Sequence, residues 1–162
     1  MLKKRNAYFI LVPILMLLSG CSLFDSFSTK SAQPKLHKRI FLASYDNVWR
    51  ATHSALRYPI AIDNQDTGVI ETEMIKAVDG WTSATAEQPP PSGLKYKLVI
   101  LIVKGKVDGQ NSTRVSIEKK STLSKDFFSD PELIDSDGLE EKSIFYRIER
   151  ELVIMNVLKK AT

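Results

Sequence analysis

One cysteine and two histidines are all that this chain of 162 residues provides of the side chains most used for nucleophilic and near-neutral proton chemistry. A second cysteine is missing, so no disulfide can close within the chain. The motifs that cradle phosphates or build hydrolytic sites are missing too: there is no P-loop, G-x-G-x-x-G, H-E-x-x-H or G-x-S-x-G. His37 precedes the expected folded part, and His53 falls on the flank of a helical pattern, where a packing role is expected. Asp63, Asp66, Asp130, Asp135 and Asp137 are scattered through turn segments without EF-hand spacing. Glu71 and Glu73 share a strand face and read as a solvated row rather than an acid-base pair. These absences leave no enzyme signature, no cofactor and no metal set to assign. No apolar run reaches the ~20 residues a membrane-spanning helix needs, and no internal repeat is visible.

What is present begins at the amino terminus. Lys3, Lys4 and Arg5 precede an apolar stretch from Ala7 to Leu18 broken only by Pro13, and Ser19-Gly20 then supplies small residues. That order is a secretory signal. Leu18-Ser19-Gly20-Cys21 resembles the lipobox of bacterial lipoproteins. The resemblance implies removal of residues 1–20 and a diacylglyceryl thioether on Cys21 Sγ, with palmitate-like acyl chains. A thiol suits that chemistry because its thiolate is a good nucleophile at modest pH. Two or more acyl chains anchor a protein stably where one does not. Ser22 in place of Asp implies, by the same resemblance, the outer membrane.

Loss of the leader takes three positive charges and no negative ones, so the formal excess of +4 falls to +1. The sequence pI of about 9.1 belongs mostly to the leader. A nucleic-acid partner is therefore not expected, since it wants a basic patch sustained over the domain. Residues 21–37 carry several serines, one proline and no sustained period, and read as a lipidated tether spanning roughly 20–25 Å. Leu23, Phe24 and Phe27 would either dip into the interface or dock on the domain.

Residues 38–162 are expected to form a single periplasmic domain. Ile40 and Leu42 alternate with Arg39 and Phe41 as a short strand does. Ser44 is placed as an N-cap, and Tyr45, Val48, Trp49, Thr52, Ala55 and Leu56 keep the stripe of an amphipathic helix that Pro59 stops. Asn64, Asp66 and Gly68 form a turn between two strands, the second carrying Ile70, Thr72 and Met74 on one side. A long connection over 77–93 holds Trp81 and three prolines; Trp81 is either a contact residue or a cover for the sheet edge. A hairpin follows, turning at Asp108-Gly109. Leu94, Tyr96, Leu98, Ile100 and Ile102 make one face of its first strand. Val99, Leu101 and Val103 make the other, either central in a doubly covered sheet or an apolar strip awaiting a partner. Phe127 and Phe128 stand in a second irregular stretch. In the last helix, Asp137 with Glu140 resembles a capping box. Ile144, Phe145, Ile148, Leu152, Met155 and Val157 or Leu158 carry its apolar stripe, with Arg147 and Glu151 poised to pair outside.

The order strand, helix, strands, hairpin, helix predicts an α+β two-layer domain, an antiparallel meander sheet with two helices on one face. "SYDNVWRATHSAL", "DNQDTGVIET" and a terminal helix resemble the helix-grip domains of BamC-like outer-membrane lipoproteins, by motif over 38–76 and by element order elsewhere. The resemblance implies a non-enzymatic adaptor in envelope biogenesis or outer-membrane protein assembly. Its contacts would come from Trp81, Phe127, Phe128, Val99, Leu101 and Val103. The alternative is a carrier of small hydrophobic ligands, with Tyr96, Ile100, Ile117, Phe145 and Ile148 lining a cavity under the long helix.

Overall fold

The computed structural model describes residues 36–84, 86–126, 128 and 130–161. The leader, Cys21, nearly all of the tether and Phe127 lie outside the described residues. The described elements run β1 (His37–Phe41), α1 (Tyr45–Ala55), β2 (Ile60–Asn64), β3 (Val69–Thr72), β4 (Ile75–Lys76), β5 (Leu94–Val107), β6 (Gln110–Leu123), β7 (Glu132–Ile134) and α2 (Leu139–Ala161). Every pairing is antiparallel, in the order β1-β6-β5-β3-β2, with β4 beside β5 and β7 beside β6. The two helices pack on each other and on one face of this sheet. The architecture is two-layer α+β.

The β5–β6 hairpin sets the frame. Asp108 (φ 49°) and Gly109 (φ 78°) both take the left-handed conformation, as a two-residue turn matched to strand twist requires. That turn fixes the register from Val107 opposite Gln110 to Leu94 opposite Leu123. Tyr96, Leu98, Ile100 and Ile102 thereby point to one side together with Val115 and Ile117, all at most 2 % exposed. Val48, Trp49, Ala51 and Ala55 of α1 and Ile144, Phe145, Ile148 and Leu152 of α2 close the core from above. Burying each large aliphatic side chain stabilises by about 1.5–3 kcal/mol relative to exposure.

Several expectations are corrected in detail. His37, expected in the tether, is the first residue of β1. In β1 the inward residue is Phe41, which meets Phe145 at 6.4 Å between ring centroids, while Ile40 and Leu42 face outward at 56 % and 68 % exposure. Pairing Arg39 with Val115 and Phe41 with Thr113 puts the odd-numbered positions under the helices. Met74 is exposed and Ile75 buried. Glu71 stands opposite Val99 and Ile75 opposite Tyr96, so the β3–β4 passage carries one residue more than β5, a bulge that reverses the alternation. Ser44 occupies the N-cap with extended geometry but its side chain makes no capping bond; its carbonyl accepts from Val48 N–H at 3.0 Å. The apolar stripe of α2 is buried only through Leu152, with Met155 packed in part, and Val157 and Leu158 are more than half exposed. At 1.5 Å per residue the helix is about 35 Å long, and it runs past the residues it covers.

Candidate functional site

Where α2 starts, the fold buries charge. Asp137 Oδ1 accepts from Leu139 N–H at 3.0 Å, but Glu140 does not complete a capping box. It turns into the interior instead, fully buried. Its Oε1 accepts from Tyr58 Oη at 2.7 Å and Tyr96 Oη at 3.0 Å, and its Oε2 lies 2.8 Å from Lys119 Nζ. Oε2 has no hydrogen-bond partner; its contact with Lys119 is an ion pair, which depends on charge and distance. Lys119 also rests 4.0 Å over the Tyr96 ring. The two phenols meet at 3.1 Å, and Trp81 N–H donates to Tyr96 Oη at 3.1 Å. Helix, sheet, α1–β2 turn and Trp81 loop are thus tied at one carboxylate. Beside it Glu141, also fully buried, accepts from Ser136 Oγ at 2.6 Å.

Burial, with the charge of Glu140 beside it, pushes the Tyr58 phenol up to about 12 from its ordinary 10.0. Burial, the hydrogen bond to Tyr58 and the same charge push Tyr96 up further. A phenol that holds its proton more tightly when folded favours the native state below pH 10, and that contribution is lost as pH climbs toward the folded value. Urea midpoints will therefore hold steady up to about pH 10 and fall between pH 10 and 12. Tyr58→Phe will make that fall shallower; the same slope in both proteins would show that the phenol is not responsible.

Clefts flank the Trp81 loop. One, of about 480 Å³, is lined by Arg57, Tyr58, Asp79, Gly80, Trp81, Thr82, Ser143 and Arg147. Another, of about 260 Å³, lies between the 77–90 connection and Lys119, Ser121 and the chain before α2. Trp81 borders both, half-buried, with its backbone fastened to Tyr96. Arg147 does not pair with Glu151. It is half-buried toward the first cleft, and its Nε has no hydrogen-bond partner.

The sheet's second face carries no helix among the described residues. Val99, Leu101 and Val103 lie there, Leu101 40 % exposed and the two valines half-buried. Register extends the strip: Val69 stands beside Leu101, Glu71 links Val99 to Ile62, and Arg114 links Val103 to Ile40. Ile40 and Ile62 are 56 % and 45 % exposed. An ion pair between Lys97 and Glu71 and another between Lys120 and Glu118 border the strip. Among the described residues no second layer covers the strip, which is open on that side. Phe128 stands apart in the segment before β7, 95 % exposed.

The residues proposed to line a carrier's cavity are packed instead. Ile100, Ile117 and Ile148 are fully buried and Phe145 nearly so, all in the main core, and of the five only Tyr96 borders a cleft described above. His53 Nε2 lies 3.2 Å from Asp63 Oδ1 without making a hydrogen bond, and its ring packs against Trp49. Among the described residues no group of acidic, histidine or cysteine side chains has the arrangement of a metal site, and no helix is long and apolar enough to cross a membrane. No protein-family model and no curated protein matches the sequence.

Proposed function

We propose that this protein is a lipid-anchored lipoprotein of the outer membrane. Its domain is a non-catalytic adaptor that binds another envelope protein through the open face of the sheet, in envelope biogenesis or outer-membrane protein assembly. The observation that carries the reading is the strip of Val69, Val99, Leu101 and Val103, uncovered among the described residues, with Ile62 and Ile40 set beyond Glu71 and Arg114 at its edges. An interface core wants that composition, with a polar rim around it. The anchoring half rests on Leu18-Ser19-Gly20-Cys21, and two acyl chains would hold the domain at its bilayer without a spanning helix.

Metabolic labelling with palmitate tests the anchor: label will enter the wild-type chain and not Cys21→Ala. Leu101→Glu tests the face. The side chain is already 40 % exposed, so the substitution will cost about 1 kcal/mol and leave the domain folded. It will nevertheless abolish function in a cell that depends on the protein, because a charge in a desolvated interface core has no partner. A chain that unfolds on Leu101→Glu, or one that functions normally with it, would contradict the assignment.

A further inference from the structure

We propose that the cleft between the α1–β2 turn, the Trp81 loop and α2 is a binding site for a small phosphate ester that carries hydroxyl groups. Two guanidinium groups, Arg57 and Arg147, line it together. Among the described residues neither lies within ion-pairing distance of a carboxylate. They are close enough to feel each other: burial first, then the charge of Arg57, holds Arg147 below its ordinary value. Two like charges facing one half-buried space, neither of them in an ion pair, is an arrangement that an entering anion stabilises. Planar guanidinium groups are the side chains best shaped to grip phosphate through paired N–H donors.

The rest of the lining sets the ligand's chemistry. Ser143, one turn before Arg147 on α2, and Thr82 on the loop supply hydroxyl groups. Tyr58 and Trp81 supply ring walls. Two carboxylates bear on the site. Glu140 is occupied by Tyr58, Tyr96 and Lys119, whereas Asp79 lines the cleft and is exposed. A carboxylate in the same lining, outside ion-pairing distance of the guanidinium groups, repels a bare oxyanion and accepts from a ligand hydroxyl, so it favours an ester with O–H groups over inorganic phosphate. A volume of about 480 Å³ also exceeds what one phosphate fills and lies in the range of small-molecule sites. The cleft lies on the helix layer, away from the open sheet face, so this assignment does not depend on the adaptor reading.

Such an ester can arrive as a free small molecule or as the headgroup of a glycerophospholipid. Glycerol 3-phosphate and inorganic phosphate, titrated calorimetrically into the full chain, test the first source. Vesicles of phosphatidylglycerol in phosphatidylcholine, compared with phosphatidylcholine alone, test the second. Expected is saturable binding of glycerol 3-phosphate, tighter than that of phosphate, or a phosphatidylglycerol-dependent gain in vesicle binding. Arg57→Gln and Arg147→Gln will each weaken it by about tenfold or more. Asp79→Asn will tighten inorganic phosphate several-fold, a gain that unfolding cannot mimic. Arg57 is exposed, so its variant will keep the wild-type melting temperature. No saturable binding of any probe, or binding indifferent to both arginine substitutions, would overturn the assignment.

Discussion

Lys119→Met will lower the free energy of unfolding by about 3 kcal/mol, the cost of breaking a buried ion pair by removing one partner. Glu140 is fully buried and Lys119 side-chain exposure is 16 %, so water cannot replace the lost ammonium. Oε1 would keep its two phenol donors, but Oε2 would face the interior with its charge uncompensated. Replacing both members behaves differently. In Lys119→Met with Glu140→Leu neither charge of the pair remains, one phenol freed from Oε1 can donate to the other across the 3.1 Å between them, and Trp81 N–H still reaches Tyr96. The double variant will therefore recover more than half of the single loss, and a double-mutant cycle by urea denaturation reads the coupling directly. A single variant within about 1 kcal/mol of wild type would show that Glu140 does not rely on Lys119.

Gly68→Ala will cost about as much, for a reason independent of charge. Gly68 sits at φ +74°, and a Cβ built there falls 2.1 Å from the Ile102 carbonyl oxygen. Backbone strain in the left-handed region costs an alanine about 1–2 kcal/mol, and the clash adds to it. Relief by a shift of the turn is closed off, because Ile102 N–H donates to Gly68 O at 2.7 Å and binds the β2–β3 turn to β5. The comparison is Gly109→Ala in the hairpin turn. Its φ is +78°, but nothing lies within 4 Å of the added carbon, so it will lose about 1–2 kcal/mol from strain alone. Equal losses at 68 and 109 would remove the close approach from the account.

Features carried by local pattern were legible in the sequence. Asp108-Gly109 between alternating runs placed the hairpin, and the stripe from Val48 to Ala55 placed α1 with its buried face. What was illegible depends on contacts distant in sequence. Glu140 three residues after Asp137 has the spacing of a cap, and only the nearness of Lys119, Tyr58 and Tyr96 draws it inward. Met74 and Ile75 exchange places through a bulge whose register is set by β5. Val99, Leu101 and Val103 read alike whether one layer or two covers a sheet, because alternation gives the faces and not their number of neighbours. The cleft between Arg57 and Arg147 joins residues from opposite ends of the domain. A helical period offered Arg147 a partner in Glu151, and the fold turned it elsewhere.

In-cell photocrosslinking from position 101 tests the central claim most directly, with position 54 on the exposed flank of α1 as the control. The account predicts one discrete crosslinked envelope protein from position 101, none from position 54, and loss of the adduct when Cys21→Ala removes the anchor. Crosslinks from 54 with none from 101 would contradict it.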